Sequence, residues 1–253
     1  MIDLHSHVIP DVDDGPISIK ESLQLLETAA RDGIDTIIAT PHYNGYYADE
    51  RDGILLRLDR LKQAAIEHGL QVSLLPGQEI QIHDTLLENY RSGKLLTLAN
   101  SRYMLIELPA EGIPYYAERL FYELEMLGVK PIIAHPERNA DFLESPDKLY
   151  RLIQKGALAQ LTSSSLFGFF GKRVQTFSHE LIQADLVHFI ATDAHNTDRR
   201  SFDLKEAYEA ISLKYGPEQI NYFKNNARIV IEDETIYPRD AKQIVRNKIF
   251  GIF

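Results

Sequence analysis

The chain of 253 residues contains no cysteine. That absence excludes a disulfide framework, a thiolate metal site and the thiolate nucleophile of cysteine-based phosphatases. No apolar run approaches the roughly 18 residues needed to span a bilayer, so no stable membrane insertion is expected. The opening Met-Ile-Asp-Leu-His has neither a basic n-region nor an apolar h-region, so no secretory signal is expected and a cytoplasmic location is. Basic residues are outnumbered, 27 Lys and Arg against 37 Asp and Glu, for a formal net charge of −10. Nonspecific nucleic-acid binding depends on Lys and Arg meeting phosphates, and this balance argues against it. Internal repeats, low-complexity tracts and linkers rich in Pro, Gly or Ser are also missing. Residues 1–253 therefore read as one domain with a short basic and apolar tail at about 238–253.

What remains is an alternation of short apolar runs with longer amphipathic segments. Candidate strands are Met1–Leu4, Thr36–Ala39, Val72–Leu75, Tyr103–Leu108, Pro131–Ala134, Leu158–Thr162 and Leu186–Ala191. Several are almost wholly apolar, as strands buried on both faces are. Ser18-Ile-Lys-Glu21 has the form of a capping box, with Leu23, Leu26 and Ala30 on one helical face and Gly33 to end the helix. Arg51 to His68 carries Leu55, Leu58, Leu61 and Ala65 at helical spacing before Gly69, and Tyr115 to Leu127 is followed by Gly128. Ser145-Pro146 starts a further helix that Gly156 closes. Strand and helix alternating in this way imply a parallel sheet with right-handed crossovers, and about seven such units predict a distorted (β/α)7 barrel.

Residues of metal-ligand type fall at or just beyond the strand ends: His5 and His7, His42, Glu79, Glu107, His135, then Asp193 and His195. The intervals are 37 residues from His5 to His42, 37 to Glu79, 28 to Glu107, 28 to His135 and 58 to Asp193. A βαβ unit takes about 30 residues or more, so each step returns to the same rim, and the last leaves room for the strand at Leu158–Thr162. That rim, at the C-terminal ends of barrel strands, is where barrel active sites are built. Residues i and i+2 on an extended segment face one way, so His5 with His7, and Asp193 with His195, can enter one cavity. Any one of these side chains is more simply a surface or cap residue; the whole series in register is not. A ninth ligand comes from Asp13-Asp14-Gly15, which is also an ordinary turn sequence, and the residues alone do not choose between Asp13 and Asp14. Nitrogen and carboxylate donors without sulfur suit Mn, Zn, Fe or Mg. His68, His83, His179 and His188 lack any partner pattern and read as surface or packing residues.

Taken together, Met1-Ile-Asp-Leu-His-Ser-His7, Asp13-Asp14-Gly15, Ala39-Thr-Pro-His42, Pro76-Gly-Gln-Glu79, Leu105-Ile-Glu107, Ile133-Ala-His135-Pro-Glu-Arg138, Phe170-Gly-Lys172 and Ala191-Thr-Asp-Ala-His195-Asn196 span almost the whole chain. They resemble the polymerase and histidinol phosphatase (PHP) superfamily, and within it the bacterial manganese-dependent tyrosine-protein phosphatases of the CpsB/CapC/YwqE type. The resemblance implies a PHP-fold phosphoesterase with three divalent ions, Mn2+ foremost. His5, His7, Glu79 and Asp193 would hold one ion, Asp14, His42 and His195 a second, and Glu79, Glu107 and His135 a third. It favours Asp14 over Asp13, and it implies that Arg138 and Arg200 touch phosphate, with Arg199 the neighbouring alternative. The implied substrate is a phosphotyrosine protein, a bacterial tyrosine autokinase, in exopolysaccharide or capsule regulation. A histidinol-phosphate-like small-molecule phosphatase shares the same metal core, and a non-catalytic metal-binding protein is the alternative outside enzymes. Tyr43-Asn-Gly-Tyr46-Tyr47 is expected either at the pocket mouth or as a plain aromatic loop. The stretch from Lys242 to Phe253 is expected to pack on the barrel or to assist homo-oligomer formation, with kinase docking as the alternative.

Overall fold

The computed structural model describes residues 1–245. Its strands are β1 (Ile2–Ser6), β2 (Thr36–Ala39), β3 (His42–Tyr43), β4 (Ser73–Pro76), β5 (Glu79–Gln81), β6 (Tyr103–Glu107), β7 (Lys130–Ala134), β8 (Leu158–Thr162) and β9 (Phe189–Ala191). The helices are α1 (Ile19–Asp32), α2 (Arg51–Glu67), α3 (Leu86–Arg91), α4 (Ala117–Met126), α5 (Ala140–Glu144), α6 (Pro146–Gln154), α7 (Lys172–Gln183), α8 (Leu204–Tyr215) and α9 (Pro217–Ile231). No helix among the described residues is long and apolar enough to cross a membrane.

Every strand pairing is parallel, in the orders β1-β2-β4 and β3-β5-β6-β7-β8-β9. The expected seven strands appear as nine because two are interrupted. β2 and β3 are halves of one strand broken at Thr40-Pro41, and β4 and β5 are halves of another broken at Gly77-Gln78. Proline has no N–H for a ladder, and a Cβ on Gly77 would lie 2.7 Å from the Ile38 side chain. On the far side, Ser6 and Ala194 form a parallel bridge, with Asp193 N donating to His5 O and His7 N to Ala194 O, both at 2.8 Å. Two backbone bonds thus bring the β9 edge round to β1, and the two parallel sheets follow the strand order expected of a distorted (β/α)7 barrel.

The strand interior carries Leu4, Ile38, Tyr103, Leu105, Ile132, Leu158 and Phe189, with Ile229 and Val230 of α9 packed among them. The outer strand face packs against the helices in a larger apolar layer. β1 changes register between Asp3 and Ser6. This irregularity lets Leu4 join the interior cluster while its neighbour His5 turns into the site above it.

The helix signals translate with two corrections. Ser18 Oγ accepts from Glu21 N at 3.3 Å, but Glu21 reaches back to Ile17 N rather than to Ser18 N. Gly33 ends α1 in the left-handed conformation, φ 84°. The buried face of α1 is Ser22, Leu25, Leu26 and Ala29; Leu23 is half-buried and Ala30 is exposed. The face is therefore turned by about one residue from the one expected. At the tail, Lys242 N bonds to Ala184 O, and Ala241 and Ile244 pack on the outer layer. The remainder of the tail, residues 246–253, lies outside the described residues.

Candidate metal centre

All nine candidate ligands converge at the C-terminal rim. Their donor atoms form three overlapping groups, each within 4.8 Å: His5, His7, Glu79 and Asp193; His7, Asp14, His42 and His195; and His42, Glu79 and Glu107. The first matches the expected first ion set, and the second is the expected second set with His7 added. In the third, His42 stands where His135 was expected, although His135 Nε2 lies 2.7 Å from Glu79 Oε1 and 4.0 Å from Glu107 Oε1. Each pair of groups shares one residue: His7 links the first and second, His42 the second and third, and Glu79 the first and third. Glu79 Oε2 is 3.2 Å from His5 Nε2, 3.3 Å from His7 Nε2 and 3.1 Å from His42 Nδ1.

Local structure explains why these side chains meet. His135 and Asp193 leave their strands with φ 33° and 56°, a left-handed turn unusual outside glycine. Such strain persists where surrounding structure over-determines it, and it is common at functional sites. For Asp193 the restraint is visible, since its N–H is bonded to His5 O. Gly15 lets the Asp13-Asp14 turn press against His7, because a Cβ there would lie 2.6 Å from His7 O.

Three histidines have their outward nitrogen fixed by an acceptor behind the ring. His5 Nδ1 donates to Gln160 Oε1 at 2.9 Å, His7 Nδ1 to Asp13 Oδ2 at 2.6 Å, and His195 Nδ1 to the Asp193 carbonyl at 2.9 Å. Each arrangement directs Nε2 at the cluster, so that a cation there would meet its lone pair in the tautomer such binding needs. The two aspartates of the DDG run thereby separate. Asp13 backs His7 and accepts the His42 and Gly15 N–H groups. Asp14 faces the site, 3.1 Å from His195 Nε2 and 3.5 Å from His42 Nε2. Asp13 was weighed only as the alternative ligand to Asp14, not as the acceptor behind His7, and Gln160 was missed. A carboxylate beside a ligand motif was the only signal for the first, and the second had none before the strands were closed.

The electrostatics fit a cation centre. Burial works against ionisation of Glu79 and Asp193, yet both carboxyls are held well below the usual range, Glu79 by His5 and His135 and Asp193 by Arg138 and His5. Glu107 is pushed up to about 8, by burial first and then by the Glu79 charge. Divalent charge between the two carboxylates would let both ionise. Four buried donor atoms, Glu79 Oε2, Asp193 Oδ1, His42 Nδ1 and His195 Nε2, carry no hydrogen bond of good geometry. Buried polar atoms without partners are rare in native proteins, and this set is the donor chemistry of Mn, Fe, Zn or Mg.

Two arginines border the cluster. Arg138 Nη2 lies 2.6 Å and Arg200 Nη2 2.9 Å from the same oxygen, Asp193 Oδ2. The Phe170 ring lies under Arg138, 4.6 Å from the guanidinium carbon. Asn196 Oδ1 gathers the N–H groups of Asp198, Arg199 and Arg200, curling the loop so that the Arg200 side chain turns inward. A cavity of about 230 Å3 opens beside the cluster, lined by His42, Glu79, Glu107, Arg138, Asp193 and Arg200 and also by the apolar Leu108, Ala110 and Pro136. Of the aromatic loop, Tyr47 stacks over His42 at 6.1 Å, while Tyr43 packs on the core and Tyr46 points to solvent. His188 is a buried packing residue, and His68 and His179 pair with Glu27 and Tyr215.

Comparison with known proteins follows the same line. The family described as "Capsular polysaccharide synthesis, CpsB/CapC" matches residues 1–232. The chain is 41% identical to tyrosine-protein phosphatase YwqE of Bacillus subtilis over all of both chains. It is 32% identical to tyrosine-protein phosphatase CpsB of Streptococcus agalactiae, covering 93% of this chain and 100% of that one. It superposes on a chain from the crystal structures of YwqE from Bacillus subtilis and CpsB from Streptococcus pneumoniae, described as metal-dependent tyrosine phosphatases. The TM-score is 0.95 at 40% identity, over 97% of this chain and 100% of that one. An organophosphorus hydrolase from Deinococcus radiodurans, at 14% identity and a TM-score of 0.55, shares the fold. With the family match running from β1 through α9, the chain belongs to the CpsB/CapC family.

Proposed function

We propose that this chain is a metal-dependent protein-tyrosine phosphatase that uses three divalent ions, Mn2+ foremost. The observation that carries the reading is the set of three donor groups linked pairwise through His7, His42 and Glu79, with two arginine forks at their edge. His5, His7, Glu79 and Asp193 would hold one ion; Asp14, His42 and His195 a second; Glu79, Glu107 and His135, with His42 adjacent, a third. Cations bound there would neutralise phosphate charge and ready a water for attack near neutral pH.

The chain's own groups do the rest. Asp13, Gln160 and the Asp193 carbonyl hold the ligand imidazoles in the tautomer that binds metal. Arg138 and Arg200 share Asp193 Oδ2 and can turn their remaining N–H groups to two phosphate oxygens, where charge gathers in phosphoryl transfer. The apolar lining residues Leu108, Ala110 and Pro136 would offer contact to an aryl ring and keep water from the ester. A phenolate leaves readily, so no strong general acid is needed for it.

The substrate we assign is phosphotyrosine on a bacterial tyrosine autokinase or a related protein, in capsule or exopolysaccharide regulation. The names of the relatives and the capsule-synthesis family support this reading. A cytoplasmic, single-domain enzyme agrees with it. The test is hydrolysis of a phosphotyrosyl peptide by purified protein with Mn2+, beside histidinol phosphate and a phosphoseryl peptide. Turnover confined to the phosphotyrosyl peptide and abolished by chelation is expected. Turnover untouched by thorough chelation would overturn the metal mechanism, and preference for histidinol phosphate would overturn the substrate.

A further inference from the structure

One buried carboxylate beside the site takes no part in the mechanism above. Glu137 lies between His135 and Arg138 in a tight 3-10 turn, Pro136–Arg138, and is fully inaccessible to solvent. Its Oε1 accepts two hydrogen bonds from the neighbouring unit of the barrel: Thr162 N at 3.0 Å and Ser165 Oγ at 2.7 Å. Thr162 ends β8, and Ser165 lies in the following turn, Ser163–Phe167. One side chain thus clamps the turn after β7 to the turn after β8.

Burying a carboxylate is costly, and burial does push the Glu137 carboxyl up. Its placement therefore asks for a reason. The turn it clamps begins at His135, whose left-handed backbone is strained, and ends at Arg138, whose guanidinium enters the cavity. Arg138 is otherwise located by Asp193 at one end and by the Phe170 ring beneath it. Phe170 follows the turn that holds Ser165, so the clamp fixes both the backbone that carries Arg138 and the segment that supplies the ring.

We propose that Glu137 is a positioning residue: through Thr162 N–H and the Ser165 hydroxyl it holds the β7 turn so that Arg138 meets the phosphate. It touches neither phosphate nor cation. This rests on the phosphoesterase reading, and its effect runs through Arg138 alone.

The test combines substitutions with a double-mutant cycle. Glu137→Ala removes the clamp. Glu137→Asp keeps the charge but is one methylene too short to reach both donors. Glu137→Gln keeps an Oε1 acceptor. In the Mn2+-loaded enzyme, the Ala and Asp variants should lose on the order of tenfold to a hundredfold in kcat/KM toward a phosphotyrosyl peptide, as partners of site residues generally do. The Gln variant should stay within a few-fold of wild type, and all three should bind as much metal as wild type. The deciding result is the combination with Arg138→Ala, where Glu137→Asp should cost less than about twofold more, because coupled residues do not add. Should the Ala variant fail to fold, the Asp and Gln variants carry the test.

Inorganic phosphate binding to the Mn2+-loaded protein, followed by calorimetry, gives a readout independent of turnover. Glu137→Asp and Arg138→Ala should weaken it alike and without additivity. If wild type binds phosphate but hydrolyses no phosphotyrosyl peptide, the substrate reading falls and this inference is still decided. Wild-type activity and phosphate affinity in the Asp variant would overturn it. So would a defect that persists in full beside Arg138→Ala, or one accounted for by lost metal.

Discussion

Single residues at this site divide by what stands behind them. His5, His7 and His195 each have an acceptor fixing the rear nitrogen, whereas Glu79 collects three imidazoles at about one distance. His5→Ala or Glu79→Ala should abolish Mn2+-dependent turnover while circular dichroism stays near wild type; retained turnover would remove that residue from the centre. Asp13→Ala and Gln160→Ala should leave the ligands present but poorly oriented, lowering metal affinity by roughly tenfold to a hundredfold in a chelator titration. Unchanged affinity would make those contacts incidental. Arg138→Ala should reduce kcat on the order of a hundredfold with metal content intact, since removing one donor to developing charge commonly costs that much. Unchanged kinetics would place Arg138 outside the chemistry.

At the scale of elements, the breaks in the strands matter as much as the strands. Gly77 sits between β4 and β5 against Ile38, and Gly15 brings the Asp14 turn onto His7. Gly15→Ala forces its new Cβ into His7 O, so the turn must shift. We expect loss of Mn2+ affinity larger than any loss of thermal stability, measured side by side; the reverse order would mean that Gly15 serves folding instead. The β8 to β9 junction supplies a pH test. His188 N donates to Ala159 O at 2.8 Å, and His188 Nδ1 accepts from Ala159 N at 3.1 Å. Burial pushes this imidazole down to about 3, from an ordinary value of 6.5. The folded state thus keeps His188 neutral while the unfolded chain takes up a proton below 6.5. Its contribution to stability is full above that value and fades as pH falls toward 3, by on the order of 3 kcal/mol at pH 4. The stability difference between wild type and His188→Asn in urea unfolding should narrow by that order between pH 7 and pH 4. A difference independent of pH would refute the assignment.

For the whole molecule, the balance of charge is the organising fact. A protein of net charge −10 gathers Asp14, Glu79, Glu107 and Asp193 in one cluster and sets Arg138 and Arg200 against them. Three divalent ions would bring six positive charges against these four negative ones. Ions and carboxylates together then leave about two positive charges, to which the two arginines add, enough to draw a phosphate dianion into an acidic protein. Ligands that bind only the folded state raise its stability by mass action. Adding Mn2+ to metal-stripped protein should therefore raise the unfolding temperature in a concentration-dependent way, and the Glu79→Ala variant should show little of that shift. A shift as large in Glu79→Ala as in wild type would mean that the ions stabilise another place.

The sequence by itself determined the repeating strand and helix units and the arrival of polar residues at one rim. Apolar runs and capping signals are local, and the intervals from His5 to Asp193 count whole units. It left the buried face of α1 one residue out, because Ser22 and Ala29 pack as well as Leu23 and Ala30 would by composition alone. It did not reveal that two strands are broken, since a Pro or Gly at a strand end reads as a turn whether or not the strand resumes. The choice of Asp14 over Asp13 followed from the family resemblance; only the tertiary structure gave its reason, put His42 beside Glu79 and Glu107, and brought Gln160 behind His5 and Glu137 across to Thr162. Apart from the bonds of Asp13 to nearby His7 and Gly15, those contacts join residues 25 or more positions apart, and their geometry is fixed by how the strands are brought round, not by any neighbour along the chain.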